Sequence, residues 1–213
     1  MINAANLTIS AANRELCSCV TFELCKGQKA VLSGASGCGK SSLLRALAGL
    51  HPIDAGSVKI DGIELSPATL GEIRRRIVFL PQEPVMGAET AREALLLPFC
   101  FRQNARLRPG PERIAEVLTL LGLNEDLLRQ PAARLSGGEK QRIAIARGLL
   151  LGRELLLADE ITAALDRAAQ DQVIEILSRL PVTMLAVTHD PVFSNAFPLE
   201  FRLEDRRLRK ERP

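Results

Sequence analysis

The chain reads as an α/β protein with a core sheet of mainly parallel strands, an antiparallel β subdomain at the N-terminus and an inserted helical subdomain. Three observations predict this. Residues 30–33, 77–80, 155–158 and 184–187 are short apolar runs that each end in polar residues or glycine. Uninterrupted runs of that length suit strands covered on both faces, as helical crossovers cover a parallel sheet. Residues 1–28 instead alternate, with Leu7 and Ile9, then Val20, Phe22 and Leu24, set between polar positions. That is the period-two signal of antiparallel strands with one buried face. Residues 89–101 and 111–130 have a helical texture, with Ile114, Val117, Leu118 and Leu121 at three- and four-residue spacing.

Punctuation sets the boundaries. Asp54-Ala55-Gly56 and Asp61-Gly62 frame short strands around Val58 and Ile60, and Arg108-Pro109-Gly110-Pro111 separates the two helical stretches. The expectation is one domain over 1–213, with a core formed by 1–83 and 149–213 and a helical lobe at 84–148. The strand ends gather chemistry: Lys40, Gln82, Asp159, Glu160 and His189 all follow them. Ligands of open α/β sheets bind beyond those carboxyl ends, so these residues are expected in one crevice.

Composition narrows the function. The net charge is +3 with 25% charged residues, so no nucleic-acid partner is expected. The basic end, Arg206-Arg207-Leu208-Arg209-Lys210-Glu211-Arg212, is expected to be a solvated tail. Five cysteines without ligand spacing, and a start lacking signal-peptide character, favour reduced thiols in the cytoplasm. No apolar run approaches the roughly 18 residues that span a membrane. If the protein serves transport, another chain forms the pore.

Gly34-Ala35-Ser36-Gly37-Cys38-Gly39-Lys40-Ser41 matches the phosphate-loop pattern G-x-x-x-x-G-K-[ST], with Ser42 following in the helix. Glycines let backbone N–H groups converge on a phosphate, and the helix N-terminus adds its positive dipole end. Lys40 would reach the β- and γ-phosphates of ATP, and the Ser41 hydroxyl would ligate Mg²⁺. Cys38 occupies a variable position of the loop and is read as packing rather than catalysis. Asp159 and Glu160 close a buried strand. A carboxylate there would hold Mg²⁺ through water, and the next would act as general base on the attacking water.

Residues 135–142 read LSGGEKQR. Ser136-Gly137-Gly138-Glu139 is an S-x-x-E capping box that opens a helix. Capping does not account for the second glycine. A helix end with a serine hydroxyl and no β-carbons is suited to receive a phosphate closely.

Together, the phosphate loop and this octapeptide resemble the ATP-binding cassette (ABC) family. The resemblance implies a P-loop NTPase core of the RecA-like kind and an ATPase that energises a membrane transporter. It implies a second copy as partner, in an ATP-sandwich dimer where Ser136, Gly137 and Gly138 complete the partner's site. It further implies a separately encoded permease, which would place the chain at the inner face of the cell membrane. Gln82 would touch Mg²⁺ and water and link core to lobe, and His189 would contact the γ-phosphate and orient the water. Asp166, in Ala164-Leu165-Asp166, would lie along the dimer interface. His51 is left structural.

Two departures stand out. Ile161 follows the glutamate where most relatives have proline. Asp159-Glu160-Ile161-Thr162, Ala164-Leu165-Asp166 and Leu97-Pro98-Phe99 resemble a smaller group of bacterial ATP-binding subunits assigned to iron or metal export. The family usually stacks adenine on an aromatic residue near the first two strands; that position falls at Ala11, and the chain has no Tyr or Trp. Arg14 offers a guanidinium plane nearby. Weaker nucleotide binding or weaker adenine preference is expected. The alternatives are a soluble ABC ATPase in translation or DNA repair, which would carry tandem cassettes or coiled-coil insertions, and a P-loop kinase, which would have no use for LSGGEKQR.

Overall fold

The computed structural model describes residues 1–212. In chain order the strands are β1 Ile2–Ala11, β2 Arg14–Leu24, β3 Lys29–Gly34, β4 Ala55–Ile60, β5 Ile63–Glu64, β6 Ile77–Leu80, β7 Leu155–Asp159, β8 Thr183–Val187, β9 Leu199–Glu204 and β10 Arg207–Arg212. The α-helices are α1 Lys40–Leu47, α2 Leu70–Arg74, α3 Ala91–Leu96, α4 Pro111–Leu120, α5 Gly137–Leu151, α6 Arg167–Arg179 and α7 Pro191–Asn195. The chain divides into two compact units. One holds Met1–Phe79, Arg153–Glu160 and the residues from Pro181 onward, the other Leu80–Gly152 and Ile161–Leu180.

The first unit carries two sheets. The N-terminal one is four-stranded and antiparallel, in the order β2-β1-β4-β5. The other has the order β10-β9-β3-β8-β7-β6. Here β3 runs parallel to both β8 and β9, and β7 parallel to β8. Every residue of β7 and β8 is buried, which is what their continuous apolar runs demand. Leu43, Leu44 and Leu47 of α1 join Ile2, Leu24, Leu32 and Leu185 in one core cluster. The helix that follows the phosphate loop is thereby fixed against the strands that deliver the loop.

The C-terminal segment corrects the sequence reading. Residues 207–212 are not a solvated tail but the edge strand β10, antiparallel to β9. Arg212 ion-pairs with Glu200 and donates to the Ser194 carbonyl and hydroxyl. Basic side chains are a usual means of keeping an edge strand from pairing with another chain, so charge alone did not distinguish strand from tail.

In the second unit, Thr90 and Glu93 form a reciprocal capping box that starts α3. Pro98 lacks an N–H for the α-ladder, and Leu97–Cys100 tightens into a 3₁₀ turn. The helical texture expected over 111–130 is interrupted. Helix α4 stops at Leu120, Gly122 takes φ +61°, and Asn124 caps a separate 3₁₀ turn at Glu125–Arg129. Residues 84–148 fall within the second unit, which also takes in Ile161–Leu180.

Candidate functional site

The phosphate loop, residues 34–39, joins β3 to α1. Gly39 is the N-cap of α1 at φ +110°, a conformation that L side chains rarely adopt, and a β-carbon there would lie 2.8 Å from Leu16 Cβ. No side chain caps this helix and its first turn holds no acidic residue, so its N-terminal amides stay available to an anion. Lys40 is buried and folds back, its ammonium donating to the carbonyls of Gly34 at 2.9 Å and Ala35 at 2.8 Å. Those two bonds hold the lysine at the mouth of its own loop. Cys38 is half-buried and packs against the core cluster.

Ser41, in the first turn of α1, donates from its hydroxyl to Asp159 Oδ1 at 2.8 Å. Asp159 ends β7 and is 0% exposed, and its Oδ2 accepts no hydrogen bond. The nearest cation is the Arg45 guanidinium, 3.7 Å from that oxygen. Arg45 is a residue the sequence reading missed; its signal was the four-residue spacing from Ser41, which puts both on one face of α1. A buried carboxylate oxygen without a donor beside a serine hydroxyl is a hard-oxygen set that fits Mg²⁺. Among the described residues no group of three or more His, Cys, Asp or Glu is placed to hold a metal.

Glu160 follows at the strand end with φ +48°, in the left-handed region, and its N–H donates to Val187 O at 3.0 Å. This pins the Glu160 backbone to the end of the adjacent strand β8. His189 lies just beyond that strand, with Nε2 3.6 Å from Glu160 Oε1. The turn beneath the histidine is stitched by its neighbours. Asp190 N–H donates to the Thr188 hydroxyl at 3.0 Å, and Asp190 Oδ1 accepts from Val192 N–H at 2.8 Å to cap α7. The first unit therefore brings Lys40, Ser41, Asp159, Glu160 and His189 to the carboxyl ends of three strands.

A cleft of about 1370 Å³ opens beside the loop, lined by Gly34–Cys38 residues, Arg14, His189 and Arg206 among others. Ala12 and Asn13 make a tight turn, both with positive φ, and Ala11 pairs with Arg14 across it. Arg206 reaches the same hairpin, its guanidinium 3.2 Å from Glu15 and its carbonyl accepting from Ser18 N–H. His51 Nε2 is 3.0 Å from the carbonyl oxygen of Ser10.

The second unit holds the remaining candidates. Ser136 caps α5, and the Ser136–Glu139 box is reciprocal. Gly138 lies close to the turn after the acidic pair, since a β-carbon there would be 3.1 Å from the Ala164 carbonyl oxygen. Tight packing is thus a second reason for glycine at this position, besides phosphate access. Asp166 caps α6, its Oδ1 accepting from Ala169 N–H at 2.8 Å. Gln82 lies in the turn after β6. The carbonyl of the preceding Pro81 faces Gln141 of α5, whose Nε2 is 3.5 Å away. Arg147, further along α5, is half-buried and has no carboxylate partner among the described residues. It donates to the carbonyls of Ala94 at 2.5 Å, Val85 at 2.9 Å and Met86 at 2.8 Å. Burial pulls its pKa down to about 10, so it stays charged at neutral pH. Gln141 lies in the octapeptide but was given no role there, and Arg147 did not stand out in sequence.

The chain belongs to the ABC transporter family, whose model matches residues 17–163, a span that includes the phosphate loop, the octapeptide and the acidic pair. It is an ATP-binding ATPase of the kind that energises transporters. It is 36% identical over 201 residues to "Phosphonates import ATP-binding protein PhnC 2" of Nostoc sp. strain PCC 7120, covering 88% of this chain and 81% of that one. It is 31% identical over 194 residues to "Probable iron export ATP-binding protein FetA" of Escherichia coli K12, covering 89% and 85%. Among solved structures, the ATP-binding cassette MJ0796, a dimer in a post-hydrolysis state bound to ADP and Pi, superposes with a TM-score of 0.88 at 29% identity, covering 100% of this chain and 98% of that one.

Proposed function

We propose that two copies of this chain close on two ATP molecules and that hydrolysis reopens them, driving a separately encoded permease. The observation that carries this is the pairing, in one chain, of an uncapped helix end at Lys40–Ser41 and a second helix end at Ser136–Gly138. The cassette MJ0796, similar over the full chain, is described as a dimer with ADP and Pi.

In this reading the loop residues Gly34, Ala35, Ser36, Gly37, Cys38 and Gly39, with Ser42, cradle the phosphates through backbone amides. Lys40 exchanges the carbonyls of Gly34 and Ala35 for the β- and γ-phosphate oxygens. Ser41, Asp159 through water, and Gln82 would hold Mg²⁺, which when bound would neutralise charge developing on the phosphoryl oxygens. Glu160 takes the proton of the attacking water, and His189, beside it, orients that water and contacts the γ-phosphate. Ser136, Gly137, Gly138 and Asp166 act on the partner's nucleotide. Residues 84–148 serve as the lobe that transmits closure. The permease docks by the segment after Gln82, where Val85 is 79% exposed. Among the described residues no helix is long and apolar enough to cross a membrane, so attachment at the inner face of the membrane runs through that partner.

The test is Glu160→Gln. Turnover is expected to disappear while ATP-dependent dimerisation, read by sedimentation, persists. Normal hydrolysis by this variant would remove Glu160 from the role of base. A strictly monomeric preparation should bind nucleotide and hydrolyse it poorly.

A metal ion as cargo is favoured by Ile161, buried where relatives have proline, together with Thr162, Ala164-Leu165-Asp166 and Leu97-Pro98-Phe99. The names of the relatives range over phosphonate import (36% identity), putrescine transport (36%), methionine import (35%) and iron export (31%). Identification of the co-purifying permease, followed by metal efflux from vesicles containing both, decides between these cargoes.

A further inference from the structure

We propose that Glu139 keeps the phosphate seat of α5 occupied by its own carboxylate, so that the partner's γ-phosphate must displace Glu139 to close the dimer. This rests on the reading of Ser136–Gly138 as that seat. Ser136 has one hydroxyl proton, and it is donated to Glu139 Oε2 at 2.8 Å. The Ser136 N–H donates to the same oxygen at 2.8 Å. In return the Glu139 N–H donates to Ser136 Oγ at 3.2 Å, and Lys140 N–H bonds to the Ser136 carbonyl. Gly137 and Gly138 are left as the uncommitted first-turn donors of α5 among the described residues.

The two helix ends of the ATP-binding machinery therefore differ. At α1 no acidic residue stands in the first turn and no side chain caps it. At α5 the serine that would bind a phosphate is already spent on a carboxylate. These bonds hold the Glu139 carboxyl below its ordinary pKa, chiefly through the Ser136 amide, then its hydroxyl, with Arg142 adding a smaller pull. Glu139 is thus an anion where a second anion must arrive. A phosphate reaching Ser136 has to take over the hydroxyl proton and push away a like charge, or drive the carboxylate out of the box.

The carboxylate also stabilises the helix end, by an amount typical of an acidic group in a first turn. A glutamine at the same position accepts the Ser136 N–H bond equally well, because the capping box is satisfied by either residue. What glutamine lacks is the charge. Replacing Glu139 by glutamine therefore separates the cap from the competition.

The experiment uses the full chain in the Glu160→Gln background with ATP and Mg²⁺, and reads the dimer dissociation constant by analytical ultracentrifugation. Removing one like charge at a partly exposed helix end corresponds to roughly two- to fivefold per seat. Two equivalent seats multiply this to about four- to twenty-five-fold tighter dimerisation for Glu139→Gln. Glu139→Met, neutral and of similar length, is expected to move in the same direction and serves if the first variant melts early. A dissociation constant that is unchanged or weaker in both variants overturns the proposal. Ser136→Ala is the companion variant. Loss of ATP-dependent dimerisation there, beside unchanged Glu139 variants, rejects only the competing carboxylate. Dimerisation equal to the parent in Ser136→Ala rejects the seat itself, and the proposal with it.

Discussion

Ser41 and Asp159, 118 positions apart, are joined by a 2.8 Å hydrogen bond that ties the phosphate-loop helix to the end of a fully buried strand. The bond satisfies one oxygen of a carboxylate that is 0% exposed, while the other oxygen faces the Arg45 guanidinium at 3.7 Å. The arrangement is complete for one oxygen and incomplete for the other, which is the condition a divalent ion would relieve.

Ser41→Ala therefore has two separable effects. Without nucleotide it leaves a buried carboxylate short of a donor, with an expected cost of about 1–3 kcal/mol in urea unfolding. With ATP it removes a candidate metal ligand, and the Mg²⁺ concentration for half-maximal ATP binding should rise roughly 10- to 100-fold. A variant as stable as the parent and unchanged in its Mg²⁺ requirement would show that the hydroxyl serves neither purpose.

The fold was legible where one cause dominated. Residues 30–33, 155–158 and 184–187 are strands because nothing but burial on both faces explains such runs, and the residues after them had to meet at the carboxyl edge. Other features had two causes with one appearance. Arg207–Arg212 reads as a solvated run, yet an edge strand is also charged. The stretch 111–130 has helical spacing throughout, but Gly122 at φ +61° and the Asn124 cap break it after Leu120. The roles of Arg45, Gln141 and Arg147 were not legible for a different reason. Their partners are Asp159 on a distant strand and the backbone carbonyls of Pro81, Val85, Met86 and Ala94, and carbonyls leave no mark in a sequence.

Ala11 tests how the adenine is held. It ends β1 opposite Arg14, at the hairpin whose far side lines the cleft. Ala11→Tyr supplies an aromatic face worth about 1–3 kcal/mol to a stacked base, so ATP affinity should rise roughly 5- to 150-fold. Affinity for inorganic triphosphate should not follow. Equal ATP affinity in parent and variant, measured by calorimetry, would mean that the base is already stacked or is not bound at this turn.

The thiols should separate by burial. Cys17 is buried and its pKa is raised to about 12, mainly by desolvation and then by the neighbouring Cys38 and Glu15. A raised thiol pKa leaves almost no thiolate at pH 8, and thiolate is the reactive form. Iodoacetamide at that pH should label the exposed Cys19, Cys25 and Cys100 in the native protein and spare Cys17 until denaturant is added. Early labelling of Cys17 in native conditions would mean that β2 opens locally.

Arg147 carries the largest expected stability effect. Its guanidinium is the donor for three carbonyls on the segment 85–94, so α5 and that segment share one half-buried cation. Among the described residues no carboxylate balances it, and its partial burial accounts for its lowered pKa. Arg147→Met keeps much of the apolar stem and removes the donors, leaving those carbonyls unsatisfied. A loss of about 2–4 kcal/mol in urea unfolding is expected. Hydrogen exchange should rise most in residues 83–96 rather than in the phosphate loop. Arg147→Lys should recover only part of the loss, because a single ammonium cannot present a planar fork to three acceptors. Full recovery with lysine would show that the charge, and not the directed hydrogen bonds, holds the segment after Gln82 in place.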